Sequence, residues 1–384
     1  MANCALCVNQ LSSSSFDQHY DSAEHIFPNS VGGFKTVSGF ICRKCNSETG
    51  ETWDAALAKT MLPLCHLFNI VRDRGGVPSL KITTTEGERV TLKGEGGIDF
   101  TNPLLVKTQR PDGLLDYKIE ARSLIELRKI LEGIKKKLPS LDVDAQLASA
   151  QEIKGYLDGD FEFTFDFGGP EGGRSMVKTC LAFAFSIGVD WHKCENATTY
   201  LREQSTTSCF GYYYGEDLVK NRKPSTPFHC VAVLADPATG LILSYAEYFG
   251  CVRIVALLGT KYAGPRLESA YAIDPRNGEE FRVKVQIDFD LERINNVIVG
   301  QYRDGEAFKA AFSGVIGPTI ESQKAAERTR VVDNAVDKAF DECGAMEGEE
   351  LTAEHLRRLT LSIAESVIPY LKHTKRSVNG PKNS

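Results

Sequence analysis

The sequence has no long apolar run and no excess of basic residues. Its 384 residues are 42% hydrophobic and 25% charged, a composition typical of globular proteins that bury a sizeable core. A membrane-spanning helix needs about 18 or more consecutive apolar residues, and the sequence contains no such run. The N-terminal MANCALCVNQ lacks the basic and apolar regions of a signal peptide. We therefore expect a cytoplasmic protein that does not enter a membrane.

The formal net charge of -6 excludes the general basic excess that many nucleic-acid-binding domains have. Any contact with nucleic acid must therefore come from a local basic patch. Internal repeats and a phosphate-binding loop are absent as well. The glycine-rich stretch GGPEGG, residues 168–173, lacks the spacing and the lysine of such a loop, so we expect an ordinary surface loop there.

Composition divides the chain into three predicted segments. Residues 1–75 are rich in Cys, Ser, Gly and His, and Gly75-Gly76 followed by Pro78 marks a boundary. Residues 76–302 alternate between strand-like and helix-like patterns, which indicates a mixed α+β domain of unknown role. Residues 303–384 favour helices, with a disordered tail over about the last dozen residues. The predicted fold class is therefore α+β.

Several segments have the periodicity of individual elements. Alternation around a Glu-Gly turn predicts a β-hairpin over 79–94, and one apolar stripe predicts an amphipathic helix over 121–138. An apolar run predicts a buried helix over 177–187. Further strands are predicted over 162–167, 228–234, 241–248, 252–258 and 281–289.

Eleven cysteines do not make a disulfide scaffold in a chain of this length, and the spacing of four of them is more informative. Cys4 and Cys7 form one Cys-x-x-Cys pair, and Cys42 and Cys45 form a second. Two such pairs supply four thiolates at the spacing of a tetrahedral structural Zn²⁺ site. Four sulfur ligands leave no open coordination position, so this zinc should clamp a small segment. Free cysteines in a small core are the alternative.

A glutamate and a histidine lie between the two cysteine pairs. Glu24 and His25 precede a proline and a Gly-Gly turn in the stretch AEHIFPNSVGG. A strand that ends at His25, a glycine-rich loop, a second strand over 39–42 and a helix from about Cys45 predict a ββα unit with zinc on its outside. Asn46 follows the last cysteine at the start of that helix.

The run EHIFPNSVGG…SGFICRKCNSETGETWDAALA resembles the HNH endonuclease superfamily. It is most similar to the branch whose pattern is Glu-His-Ile-x-Pro, then Gly-Gly, then Cys-x-x-Cys-Asn. The resemblance extends over about the first 75 residues and implies a zinc-stapled ββα-metal (HNH) domain. The predicted architecture is this domain, then a mixed α/β domain, then a helical C-terminal region.

The resemblance also implies roles for three residues. His25 matches the general base that takes a proton from the attacking water, work that suits a near-neutral imidazole. Glu24 and Asn46 match the positions that hold a catalytic divalent ion, and hard oxygen ligands suit Mg²⁺ or Mn²⁺ better than zinc. Such an ion would neutralise the scissile phosphate and stabilise the leaving 3′ oxygen. The products would have 5′-phosphate and 3′-hydroxyl ends.

One position departs from the family pattern. Many such motifs have a middle asparagine that supports the loop behind the histidine, and the corresponding region here is Thr36-Val37-Ser38. Thr36, Ser38 or Asn29 could supply that support. Asp54 also fits the branch pattern, with a structural position on a helix or at its cap as the alternative.

Two functions are compatible with these patterns. The first is a metal-dependent endonuclease that hydrolyses DNA, with bacterial defence against foreign DNA as a setting by family analogy alone. The second is a non-catalytic zinc module that binds nucleic acid or protein. The rest of the chain could bind DNA, sense a signal or form a homodimer. Aromatic and basic residues over 209–229 predict either a nucleotide pocket or an aromatic core.

Overall fold

A computed structural model describes the chain except residues 1, 74, 95, 152–155, 158, 164–167, 204–206, 347 and 379–384, and except the side chains of 376–378. The described strands are β1 (Asp21–His25), β2 (Thr36–Cys42), β3 (Leu80–Thr83), β4 (Arg89–Leu92), β5 (Ile98–Phe100), β6 (Leu104–Gln109), β7 (Leu115–Glu120), β8 (Phe210–Tyr212), β9 (His229–Asp236), β10 (Leu241–Tyr248), β11 (Val252–Gly259), β12 (Leu267–Asp274) and β13 (Glu279–Phe281).

The described helices are α1 (Arg43–Thr49), α2 (Ala55–Leu67), α3 (Leu124–Lys135), α4 (Val143–Ala148), α5 (Gly169–Ser186), α6 (Glu195–Arg202), α7 (Leu291–Ile298), α8 (Gly305–Cys343) and α9 (Ala353–Val378). A π-helical turn over Gly50–Asp54 joins α1 to α2. The chain is thus a mixed α/β protein with a helical C-terminal region, as predicted. In the part of the chain that the structure describes, no helix is long and apolar enough to cross a membrane.

The chain forms two compact units that differ from the three consecutive segments predicted. The first unit combines Met1–Pro78 with Thr164–Glu321, and the second combines Ser79–Phe163 with Ser322–Ser384. The predicted boundary near Gly76 therefore lies close to the end of the first piece. The N-terminal piece does not stand alone, because its apolar side chains share one core with the later strands of the same unit.

The first unit contains a six-stranded antiparallel sheet with the order β13-β12-β9-β10-β11-β8. Alternate side chains of a strand point to opposite faces, and both faces are buried here. Val231 and Ile254 lie in the core that also contains Phe27 and Phe40 of the N-terminal piece. Tyr245 and its neighbours on the other face pack against residues 213–219 and 285–297. The N-terminal piece therefore covers one face of this sheet.

Helix α5 begins eight residues earlier than the sequence predicts. The prediction of a surface loop at GGPEGG is wrong, because the helix starts at Gly169 with Pro170 in its first turn. Proline is tolerated there since the first N–H groups of a helix have no partner inside the helix. Most of α5 is buried, from Gly172 to Ala184.

Two further predicted elements differ in the structure. Over 281–289 only Phe281 belongs to a strand, and the predicted strand is otherwise wrong. The alternation there reflects burial of Val285, Ile287 and Phe289 against the sheet face that contains Tyr245, with Val285 forming a single bridge to Val219. Helix α9 continues to Val378, so the predicted disordered tail is wrong up to that residue, and 379–384 lie outside the described residues.

Other predictions agree with the structure. The hairpin over 79–94 is β3–β4, the amphipathic helix over 121–138 is α3, and the three middle strands are β9, β10 and β11. Of the predicted strand 162–167, residues 164–167 lie outside the described residues. The aromatic stretch near 213 is core, because Tyr213 and Tyr214 are buried.

The second unit is built from small antiparallel sheets and helices. Strands β3, β4 and β5 form a three-stranded sheet, and β6 and β7 form a separate hairpin. Helix α3 begins at the cap Ser123, whose side chain accepts a hydrogen bond from the backbone of Glu126, a common way to satisfy the first N–H groups of a helix. Ala339, Cys343 and Leu359 form a small apolar cluster between α8 and α9.

Candidate functional site

The N-terminal piece has the ββα order that the sequence predicts. Strands β1 and β2 pair antiparallel, with Glu24 opposite Val37 and His25 opposite Thr36, and a register shift lies between Ser22 and Glu24. Helix α1 follows β2 without an intervening loop, since it begins at Arg43. The second strand is longer than predicted because it starts at Thr36.

The loop after His25 needs both of its glycines. Gly32 has φ of +92°, and a Cβ added to it would lie 2.7 Å from Cβ of Pro275. At Gly33 an added Cβ would lie 1.8 Å from the carbonyl oxygen of Phe27, far inside van der Waals contact. Asn29 donates from Nδ2 to the carbonyl oxygen of Gly33 at 3.2 Å. Asn29 is therefore the candidate support residue that braces this loop.

The imidazole of His25 contacts a carboxylate that the motif does not include. His25 Nε2 lies 3.3 Å from Asp73 Oδ2, and the two side chains are 31% and 42% exposed. A carboxylate accepts hydrogen bonds, so the proton belongs on Nε2 and the Nδ1 lone pair is the basic position. A water molecule from solvent can reach a ring of this exposure. An imidazole held in this way can accept a proton from water at Nδ1.

Glu24 points into the protein and contacts a lysine of α5. Glu24 is 3% exposed and Lys178 is 1% exposed, and Lys178 Nζ lies 2.7 Å from Glu24 Oε1. The same ammonium lies 2.6 Å from Asp54 Oδ2 and donates to Thr49 Oγ1 at 3.2 Å. Ser175, one turn earlier on α5, donates to Asp54 Oδ1 at 2.6 Å. These five side chains form a buried polar cluster, called the Lys178 cluster below.

The charges in the Lys178 cluster stabilise one another. Burial alone would lower the pKa of Lys178, but the carboxylates of Glu24 and Asp54 outweigh it and hold that pKa above its ordinary value. Lys178 is therefore a buried cation. Burial raises the pKa of Glu24, and the ammonium of Lys178 acts in the opposite direction. Buried charges of this kind are tolerated only when they are paired and hydrogen-bonded.

The predicted divalent ion requires the carboxylate of Glu24, which is buried and already paired with an ammonium. Lys178 occupies the position next to Oε1, and an ammonium and a metal dication repel each other at contact distance. Asn46 contacts β1 at Ser22, where its Nδ2 donates to Ser22 Oγ at 2.8 Å. The predicted ion on Glu24 does not fit this arrangement, whereas the contact of Asn46 uses its amide nitrogen, so its predicted role as an oxygen ligand stays a prediction.

A groove lies beside the hairpin, on the side of Ser22. Its volume is about 610 Å³, and its lining includes Tyr20, Asp21, Ser22, Ser38 and Arg43. The guanidinium of Arg43 stacks on the Tyr20 ring with 5.0 Å to the ring centroid. Hydroxyl groups and one guanidinium can bind phosphate oxygens.

The four predicted zinc ligands come together. The Sγ atoms of Cys4, Cys7, Cys42 and Cys45 all lie within 4.8 Å of one another, and Cys7 Sγ lies 3.7 Å from Cys42 Sγ. Ligands of a tetrahedral zinc with Zn–S bonds of about 2.3 Å are about 3.8 Å apart. The four thiols therefore fit a structural zinc ion. Among the described residues, no other group of three or more His, Cys, Asp or Glu side chains converges in this way.

The ionisation of these four thiols favours a bound cation. A hydrogen bond from Cys45 lowers the pKa of Cys4 to about 4, and that same bond is the main cause of a strongly raised pKa at Cys45. Burial raises the pKa of Cys42 to about 11. One thiolate therefore discourages the others from ionising, and a divalent cation removes that conflict.

Two residues near the site were missed by the motif. Lys178 has a signal in the sequence, because it is the one charged residue in the apolar run 177–187, and a lysine within a buried helix requires a partner. Asp73 has no such signal, since its position next to His25 arises from tertiary structure. The structure brings His25 to Asp73, Glu24 to Lys178, and Asn46 to Ser22.

Comparison with known proteins gives one family match. Residues 4–62 match a family model described as HNH endonuclease, which confirms the resemblance stated from the motif. The matched stretch includes the cysteine cluster, β1, β2 and α1. The N-terminal segment is therefore related to nucleases of this family. No curated protein and no solved structure matches the chain.

Proposed function

We propose that this protein is an endonuclease that hydrolyses DNA phosphodiester bonds, with His25 as the general base. The observation that supports this best is the contact between His25 and Asp73, in a segment related to the HNH endonuclease family. The general base of such a reaction must be reached by water and must be held in one orientation. The partly exposed, carboxylate-bound imidazole of His25 meets both conditions.

In the proposed reaction, His25 Nδ1 takes a proton from a water molecule, and the resulting hydroxide attacks phosphorus. The bond from phosphorus to the 3′ oxygen breaks and the leaving oxygen takes a proton from solvent water, so the products have a 5′-phosphate and a 3′-hydroxyl. Asp73 keeps the proton on Nε2 and fixes the plane of the ring. His25 does not line the groove beside Ser22, Ser38 and Arg43, so we place in that groove the DNA backbone next to the cleaved bond.

The family resemblance implies that Mg²⁺ or Mn²⁺ supports the leaving oxygen. Because Lys178 holds the carboxylate of Glu24, we assign no ion to Glu24 in this conformation. The role of Asn46 as an ion ligand stays a prediction. The dependence on a divalent ion is a property that the activity assay measures directly.

A plasmid-nicking assay tests the proposal. Supercoiled DNA is incubated with the full chain in Mg²⁺, in Mn²⁺ and in EDTA, and the ends are tested for a 5′-phosphate by ligation. General-base catalysis contributes about 10²-fold to 10⁴-fold to a rate, so His25→Ala should slow cleavage by at least about 10²-fold.

The matched control is His192→Ala. His192 is exposed and contacts Asp190 at 2.7 Å, so it is a second His–Asp pair outside the ββα unit. This variant should cleave like the wild type. Equal activity in the wild type and in His25→Ala would show that the nuclease proposal is wrong.

One observation favours the second candidate, a zinc module that binds DNA without cleaving it. The contact of Lys178 with Glu24 is what a site without a catalytic metal would contain. In that case the purified chain should shift DNA in a gel assay while both the wild type and His25→Ala leave plasmid intact.

The biological setting that we propose by analogy is bacterial defence against foreign DNA. Expression of the protein should then lower the plating efficiency of phages, and His25→Ala should restore it. Unchanged plating with an active nuclease would argue for a different setting.

A further inference from the structure

Lys178 places a positive charge in the buried core of the first unit. It lies in the middle of the buried stretch of α5, where the neighbouring side chains of Val177 and Leu181 are apolar and that of Thr179 is polar. Its ammonium is satisfied by two carboxylates and one hydroxyl. If the ammonium left this position, it would lose these partners and two carboxylates would be left without a cation.

The cluster also connects three elements around the strand that ends in His25. Glu24 belongs to β1, Thr49 ends α1, and Asp54 ends the π-helical turn. The side chains of neighbouring strand residues point to opposite faces. When Lys178 holds Glu24 on the buried face, His25 is held on the face where it contacts Asp73.

We propose that Lys178 is the resident cation of the nuclease site, and that it takes the place beside Glu24 that the family resemblance gives to a divalent ion. Lys178 is then a positioning residue that acts on His25 through Glu24 and β1. The inference rests on the proposed function in one respect, because it takes His25 and its neighbours to be the catalytic site. It also means that the site is completed by a helix far outside the HNH segment.

Binding of Mn²⁺ tests this inference without any measurement of DNA cleavage. The full, zinc-loaded chain is titrated with Mn²⁺ alone, and free Mn²⁺ is followed by electron paramagnetic resonance. If Lys178 fills the place beside Glu24, the wild type and Glu24→Gln should bind Mn²⁺ with affinities within about twofold of each other. A wild-type affinity at least tenfold higher than that of Glu24→Gln would overturn the proposal.

Lys178 variants give a second, independent measurement. Lys178→Met leaves Glu24 and Asp54 without a cation, so its melting temperature should fall and should rise again with added Mn²⁺. Lys178→Arg keeps a cation and should melt closer to the wild type. The Mn²⁺-dependent rise should disappear in Lys178→Met combined with Glu24→Gln.

An unchanged melting temperature in Lys178→Met would contradict the inference, since the lysine would then not be needed as a cation. If Lys178→Met does not fold, that agrees with two unpaired buried carboxylates, and the comparison of wild type with Glu24→Gln decides. Because both measurements use only Mn²⁺ and melting, an inactive protein would refute the nuclease function without affecting this result.

Discussion

Asp73 is the residue whose contact with His25 gives the sharpest single-residue prediction. A hydrogen bond is worth about 1 kcal/mol, and 1.36 kcal/mol corresponds to a tenfold change in rate. We therefore expect Asp73→Ala to lower kcat about fivefold with KM unchanged, because the imidazole loses its orientation and the DNA contacts are unaffected. The measurement is steady-state cleavage of a labelled duplex.

Asp73→Asn provides the internal check on this prediction. Its amide oxygen can accept the same hydrogen bond from Nε2, so most of the rate should return. Asp190→Ala is the matched control, since it removes the carboxylate of the other His–Asp pair and should not alter cleavage. Wild-type rates in Asp73→Ala would mean that the contact does not orient the base.

At the scale of elements, the cysteine cluster joins the N-terminal turn to the end of β2 and the start of α1. We expect about one zinc per chain, because four thiols at this spacing fit one tetrahedral ion. Cys7→Ser should reduce the zinc content to near zero, measured by elemental analysis of purified protein. Cys65→Ser is the control, since Cys65 is buried in the same unit but lies outside the cluster. A zinc content that is unchanged in Cys7→Ser would contradict the assignment.

The 3₁₀ turn over Asn29–Val31 is attached to the large sheet through a buried histidine. His229 on β9 donates from Nε2 to the Val31 carbonyl oxygen at 2.7 Å and accepts at Nδ1 from the Phe249 backbone N–H at 3.1 Å. Its ring also stacks on Phe27 with 5.0 Å between centroids. A neutral ring makes both of these hydrogen bonds. Protonation places a hydrogen on Nδ1, which can then no longer accept the bond from the Phe249 N–H.

This attachment predicts a pH dependence of stability. Burial lowers the pKa of His229 from 6.5 to about 4. Between those values the unfolded chain binds a proton that the folded chain does not, so the free energy of unfolding falls as the pH drops from about 6.5 to about 4. The loss should reach about 3 kcal/mol. Urea unfolding at several pH values measures it, and His229→Gln should show a smaller loss. An identical loss in His229→Gln would exclude this histidine as the cause.

At the scale of the whole molecule, the sequence could predict what depends on neighbours along the chain. The two cysteine pairs, the ββα order around His25 and the strands β9 to β11 all follow from local spacing or periodicity. The contacts of Lys178 with Glu24 and of Asp73 with His25 join residues far apart in sequence, so no local pattern specifies them. The lone charge in an apolar helix could have indicated that Lys178 has a partner, but not which partner.

Local sequence patterns also could not predict how the chain divides into compact units. The change in composition near Gly76 predicts a separate N-terminal domain. Contacts show instead that Met1–Pro78 packs with later residues of the same unit. Arg202 Nε donates to the Ala5 carbonyl oxygen at 2.9 Å, His229 binds Val31, and Lys178 binds Glu24. Three separate parts of the N-terminal piece thus depend on residues after 164.

These attachments predict that the N-terminal piece cannot fold alone. A fragment of residues 1–78 would leave Glu24 without Lys178 and would expose Phe27 and Phe40, which are buried in the shared core. Burial of such a side chain is worth about 1.5–3 kcal/mol, a large fraction of the about 5–15 kcal/mol that stabilises a typical protein. The fragment should therefore show no cooperative melting by circular dichroism, even with zinc.

The matched control joins 1–78 to 164–321 through a flexible Gly/Ser linker, and it should melt cooperatively and bind zinc. Cooperative melting of the fragment alone, at a temperature near that of the control, would show that the HNH segment is an independent domain.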